Sequence, residues 1–228
     1  MTPLSADNIW VYIFERNAAR IGVRRREPAL KNLEAIFRAT FRLANDVGFG
    51  AMSLRDLCRE TGLSMGGLYG YIDSKAQLAE MIEDVVRHAT EQLPLMFAEL
   101  ADPLERLEAV IRASIYLSEI LQPWFYFVYM DSRVLAPAQR GMAKASELHM
   151  QTQLTALFRQ IEPALDGNPE LFAAHLLALA QDWYVKRWKY RALKVHVDDF
   201  ADGVTLVLRT CLAAAAPAAQ AAAARAPS

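Results

Sequence analysis

The residues best suited to chemistry run from Ser53 to Lys75: Ser53-Leu54-Arg55-Asp56-Leu57-Cys58-Arg59-Glu60-Thr61-Gly62-Leu63-Ser64-Met65-Gly66-Gly67-Leu68-Tyr69-Gly70-Tyr71-Ile72-Asp73-Ser74-Lys75. Ser53 and Ser64 each stand where a hydroxyl can accept from the exposed amides of a helix start. Gly62 ends the first stretch and leaves a tight turn before the second. Two short helices across such a turn make a helix-turn-helix, whose second helix docks in the DNA major groove. That helix needs short or flat side chains toward base edges, flanked by groups that bind phosphate. Residues 64–75 meet this description, so the chemistry they offer is recognition of a duplex.

No comparable case exists for turnover. His88, His149, His175 and His196 are scattered, with no nucleophile elbow, phosphate loop or HExxH motif beside them. No catalytic residue and no metal ligand set is expected, and no cofactor is implied. Cys58 and Cys211 are far apart and form no zinc spacing, which fits a reducing, cytoplasmic setting. Cys58 follows Leu54 and Leu57 at helical spacing and reads first as a small buried hydrophobe, with a thiol sensor as its rival. The N-terminus lacks signal-peptide features and no apolar run approaches the ~20 residues that span a bilayer, so no membrane partner is expected.

Net charge is −1 over 228 residues, yet ten basic residues and four acidic ones lie between Arg16 and Arg59, a local surplus of six. Such a surplus attracts a polyanion even when the whole chain is nearly neutral. A hydrophobic content of 54% provides for a substantial core, and apolar spacing is helical almost throughout. The fold class expected is all-α. Asp7 to Gly22 reads as an extra amphipathic helix, followed by the basic linker Arg24-Arg25-Arg26. Pro28 suits the first turn of the next helix, which stops at Gly48. Ser74 and Gln77 form a capping box for a long helix broken near Pro94. Asn168-Pro169 opens a helix running to about Lys194, and Asp198 caps the last one.

Residues Asn32 to Val86 closely resemble the DNA-binding signature of the TetR family of transcriptional regulators. Apolar positions, turn glycine, Leu-Tyr-x-Tyr and Ser-Lys all fall in register. The resemblance implies a three-helix helix-turn-helix domain at 28–91 and a C-terminal helical ligand-binding and dimerisation domain at 92–215. An N-terminal extension (1–27) and an alanine-rich disordered tail (216–228) complete the expected division. It also implies a ligand-responsive regulator, by family default a repressor, that binds a palindromic double-stranded DNA operator as a homodimer.

By the same resemblance Arg55, Met65, Gly66, Gly67, Tyr69, Tyr71 and Lys75 face DNA, with the caps Ser53 and Ser64 completing the site. Tyr69, Tyr71 and Lys75 have the donors to reach phosphates. Met65 and Gly67 replace residues that in the family are often basic or polar and threonine. Backbone approach, thymine methyl contacts and DNA shape then carry more of the specificity, or else the glycines simply permit tight packing. Arg24–Arg26 is either a DNA-contacting arm or a solvated charge run. The sparse recognition helix also leaves open an interaction module without DNA binding.

In the C-terminal half, aromatic residues concentrate at 124–129 and 183–190. Trp124, Tyr126, Tyr129, Trp183, Tyr184 and Trp188 are candidates to line an apolar effector pocket, with ordinary core packing as the alternative. Lys186, Arg187, Lys189, Arg191 and Lys194 interleave with the second cluster. They suit an amphipathic effector with an anionic head, an acyl-CoA or fatty acid, or else form a solvated helix face. The family's four-helix dimer bundle assigns Phe172, Leu176, Leu179, Val204, Val207, Leu208 and Cys211 to dimerisation, some of which must fill the protomer's own core.

Overall fold

Apolar side chains at three- and four-residue spacing give eleven helices and no strand among the residues that the computed structural model describes: 8–23, 25–131, 137–161 and 168–223. They group into two compact units, Met1–Ala89 with Ile120–Ala143, and Thr90–Glu119 with Lys144–Ser228. This grouping differs from the linear division at 28–91 and 92–215, because residues 122–131 pack with the N-terminal elements.

The first unit contains α1 (Ile9–Arg16), α2 (Arg26–Val47), α3 (Leu54–Thr61), α4 (Met65–Tyr69), most of α5 (Lys75–Met96) and α7 (Gln122–Asp131). The extra helix α1 is shorter than the pattern suggested and ends at Asn17. Its Ile9 and Ile13 are buried, and on its other face Tyr12 donates to the Asp84 carboxylate at 3.1 Å and stacks on His88. Burial, then the adjacent Asp84, pushes the Tyr12 phenol well above its ordinary range. On α2, Ala29, Leu33, Ile36 and Phe37 form the buried stripe.

Trp124 on α7 stacks on Phe37 at 4.9 Å and meets Phe41 edge-on at 4.9 Å, with Trp10 of α1 at 5.8 Å. Phe127, one turn later, meets Phe41 at 6.1 Å and Phe49 at 4.9 Å. A continuous belt of rings therefore joins α1, α2, α7 and the α2–α3 turn.

The second unit is built from α6 (Pro103–Ile120), α8 (Pro137–Ile161) from Lys144 onward, α9 (Pro169–Val185), α10 (Arg187–Ala192) and α11 (Val197–Ala223). Leu107, Val110, Ile111, Ile115, Leu154, Phe158, Ala173, Leu176, Trp183 and Val204 share one core. Asp102 caps α6 through the Glu105 amide at 3.1 Å. The helix expected to run unbroken to Lys194 instead breaks at Lys186. Seven residues of straight helix would carry Tyr190 about 10 Å along the axis from Trp183. The break returns its ring to 5.2 Å from Trp183 and 4.8 Å from Phe200.

Three further expectations change. Pro94 lies inside α5, which continues to Met96. The start of α11 is capped at His196, whose amide donates to Asp199 at 3.1 Å, while Asp198 accepts from Tyr116 at 2.6 Å. The alanine-rich segment is helical to Ala223 instead of disordered, in keeping with alanine's high helix propensity; residues 224–228 lie outside the described residues.

Asp182 sits at the α9–α10 break. Burial would raise its pKa, but hydrogen bonds from Lys186, Lys189 and Tyr190 outweigh it and hold the carboxyl at about 2, below its ordinary 3.8. A carboxylate depressed on folding stabilises the fold above its unfolded pKa and loses that contribution as pH falls through the folded value. Denaturant unfolding of the protein should therefore show an acid loss between pH about 4 and about 2 that is shallower in Asp182→Asn. Trp124, 5% exposed within the ring belt, should cost about 3–5 kcal/mol of stability when truncated in Trp124→Ala, measured by denaturant titration.

Candidate nucleic-acid interface

The two helices of the motif are fixed by local hydrogen bonds that the sequence encodes. Ser53 Oγ accepts from the Asp56 amide at 3.2 Å while Asp56 accepts from the Ser53 amide at 2.9 Å, a complete capping box. Gly62 takes the left-handed conformation at φ 72°, ψ 7°, which ends α3 and turns the chain. Ser64 Oγ then accepts from the Gly67 amide at 3.0 Å and starts α4. Both serine oxygens thus accept from the helix starts; the Ser53 hydroxyl also donates to Asp56 at 2.7 Å, and the Ser64 O–H is left to donate outward.

Leu57 and Leu68 are fully buried and hold α3 and α4 together. On the outer side of α4, a Cβ added at Gly66 would meet nothing within 4 Å, so this backbone is open to close approach. Gly67 is tighter, 3.3 Å from Ser64 Oγ by the same measure. Met65 Sδ lies 3.3 Å from Cys58 Sγ, which occupies the thiol inside the motif. Tyr69 is 49% exposed, and Arg55 is exposed with no ionic partner among the described residues.

Tyr71 departs from the expectation of a surface phosphate ligand. It is 3% exposed, and its phenol oxygen accepts from Asn32 Nδ2 at 2.9 Å, tying the end of the motif to α2. Only the phenolic proton is left to offer outward. Lys75 is also more structural than the sequence suggested: its ammonium donates to the carbonyls of Gly50 at 2.9 Å and Met52 at 2.6 Å, and lies 5.0 Å from the centre of the Phe49 ring. Burial lowers its pKa. One of its three donors remains for a phosphate. Phe49 and Asn32 escaped sequence reading, although an aromatic held between Gly48 and Gly50 was a signal of a ring packed in a turn.

The remaining predicted residues separate. Trp124 belongs to the ring belt of the first unit, where Tyr126 is half-buried and Tyr129 exposed. In the second unit Trp183 is buried and donates to Glu119 at 2.9 Å, Tyr184 is buried, and Trp188 is 71% exposed. Arg187 pairs with both Glu119 oxygens, at 2.9 and 2.8 Å, and stacks over Trp183. Lys186 and Lys189 are taken by Asp182. Much of the basic run is thus neutralised internally. A cavity of about 70 Å³ in this unit is lined by Pro94, Arg106, Val110, Leu154, Leu157 and Gln160 among others, and by none of the six aromatics.

Of the dimerisation candidates, Leu176, Val204 and Leu208 lie in the protomer's own core, and Phe172 packs against it. Leu179, Val207 and Cys211 are exposed, together with Leu206, which sequence reading passed over. Leu206 follows Gly203 and precedes Thr210 on one exposed face of α11, a spacing that could have revealed it.

Comparison with known proteins fits this geometry. The model of bacterial regulatory proteins of the tetR family matches residues 36–82, which span α3 and α4 with the adjoining parts of α2 and α5. Over residues 36–82 this chain is similar to the bacterial regulatory proteins of the tetR family. No curated protein sequence matches it. Among solved structures, AibR in complex with isovaleryl coenzyme A and operator DNA is similar at TM-score 0.64 and 23% identity, over 76% of this chain and 96% of that one. The TetR-family regulator PfmR from Thermus thermophilus gives 0.65 and 21%, over 78% and 96%. The ketosteroid regulator KstR2 of Mycobacterium tuberculosis gives 0.66 and 15%, over 86% and 98%. At these identities the likeness establishes the TetR-type fold. No helix among the described residues is long and apolar enough to cross a membrane.

The tether at Lys75 yields a prediction. Lys75→Met should lower stability by about 1.5–3 kcal/mol, the usual worth of hydrogen bonds from a charged group. Equilibrium unfolding at neutral pH measures it, and an unchanged midpoint would mean that the ammonium serves DNA alone.

Proposed function

We propose that this TetR-family regulator is a repressor that binds a palindromic DNA operator as a homodimer and is released by a small apolar or amphipathic effector. The observation that carries the reading is α4 itself: a serine-capped helix with Gly66 open and Tyr69 outward, on a rigid capped frame. With few hydrogen-bonding side chains on that helix, operator choice rests on thymine methyl contacts with Met65, backbone approach at Gly66 and DNA shape. Arg55, Tyr69 and the spare donors of Tyr71 and Lys75 bind phosphate and set the register.

Dimerisation falls to the exposed faces of α9 and α11, with Leu179, Leu206, Val207 and Cys211 at its centre. The effector is of the acyl-CoA or fatty acid class. The isovaleryl coenzyme A bound by AibR supports that class, as does Arg106, whose Nε is buried without a hydrogen-bond partner beside the cavity of the second unit. At about 70 Å³ that cavity is far below the ~300–1,000 Å³ of ligand pockets, so effector entry must expand it. An effector that favours the expanded state shifts the population away from dimers whose recognition helices match major grooves ~34 Å apart.

Selection from random duplex DNA tests the reading. A palindromic winner whose affinity falls steeply with salt is expected, and Tyr69→Ala should weaken binding to it at least tenfold without loss of helicity. No enrichment by folded, dimeric protein would overturn it. Val207→Glu should shift the sedimentation coefficient to that of a monomer and abolish operator binding.

A further inference from the structure

The basic linker between α1 and α2 is not loose beside the motif. The Gly22 amide donates to the Gly70 carbonyl at 3.0 Å, and Gly70 is the residue that closes the recognition helix. A Cβ at Gly70 would lie 3.3 Å from Val23 Cγ2 and 3.2 Å from the Gly67 carbonyl, so the glycine is what lets the linker sit this close. Both ends of the linker are anchored: Ile21 is buried on one side, Ala29 on the other, and Asn32 is bonded to Tyr71.

The charges on this strap divide into two kinds. Arg16 is paired with Asp84 at 3.3 Å and Arg26 with Glu15 at 3.2 Å. Arg20, Arg25 and Lys31 are exposed and have no ionic partner among the described residues; Arg24 lies outside them. Arg25 has extended backbone at the start of α2 and lends no side chain to its cap. Three extended residues span at most ~11 Å, so Arg25 stays close to Gly70 and to the exposed Tyr69 beside it. Exposed cations along a segment that is hydrogen-bonded to the C-cap of a groove-reading helix fit the polyanion that runs along both edges of that groove.

We propose that Arg25 and Lys31, beside the Gly22–Gly70 seat, form a second DNA-contacting element that binds operator phosphates flanking the contacts of α4. It rests on the operator-binding reading above. The role of α1 is then to anchor the strap: Ile9, Ile13 and the Tyr12–Asp84 bond fix one end while Gly70 fixes the middle.

The test uses the full chain and the duplex that it selects, with affinity measured across salt concentrations. Each lost phosphate contact lowers the slope of log K against log salt by about 0.9. Arg25→Ala and Lys31→Ala should each reduce it by about 0.9 per subunit, leave the preferred sequence unchanged, and make ethylation of the flanking phosphates harmless. Gly70→Ala should relax the same phosphate contacts by displacing Val23. Arg38→Ala, at an exposed residue already paired with Glu34, should leave slope and interference pattern as in the parent. Parent-like slope and interference in both Arg25→Ala and Lys31→Ala would overturn the strap while the operator reading stands. Folded parent protein that selects no duplex would remove both.

Discussion

The stacking of Trp124 on Phe37, with Phe41 edge-on to the same indole, fixes α7 to α2 and with it the frame on which α3 and α4 are displayed. Rings bury large apolar areas and hold tilted or edge-on geometries that aliphatic side chains do not enforce. The belt runs on through Phe127 to Phe49, and Phe49 supports the ammonium of Lys75, which in turn ties the start of α5 to the α2–α3 turn. A reading helix of only five residues has little stability of its own. Its position is set by what surrounds it, and the belt supplies that surrounding.

The recognition helix combines two glycines with a methionine at positions where hydrogen-bonding side chains could stand. Glycine weakens a helix by about 1 kcal/mol relative to alanine. The serine cap at Ser64 and the buried Leu68 oppose that cost from both ends of the helix. Gly66 provides access toward the outside, and Gly70, the residue that follows the helix, provides it toward the strap. On the operator-binding proposal, affinity comes mainly from phosphate contacts, while specificity draws on shape and methyl contacts.

In the second unit, charge is arranged to be satisfied internally. Glu119 receives the Trp183 indole and both arms of Arg187, and Asp182 gathers Lys186, Lys189 and Tyr190 at the break between α9 and α10. Removing one partner from such a network would strand a half-buried charge, which is costly. Arg106 is different, since its Nε has no partner among the described residues, and it borders the cavity.

The sequence by itself determined the local features: the caps at Ser53, Ser64 and Asn168, the turn at Gly62 and the buried leucines of the motif. These depend on interactions within about four residues, so spacing alone reveals them. Tertiary structure decided what depends on residues far apart in the chain. Trp124 joined the DNA-binding unit because its partners, Phe37 and Phe41, lie far back along the chain on α2. Tyr71 and Lys75 turned inward because Asn32 and the carbonyls of Gly50 and Met52 were waiting there. The basic linker gained a fixed seat through one backbone bond to Gly70, a contact between two glycines that carry no side-chain signal of it.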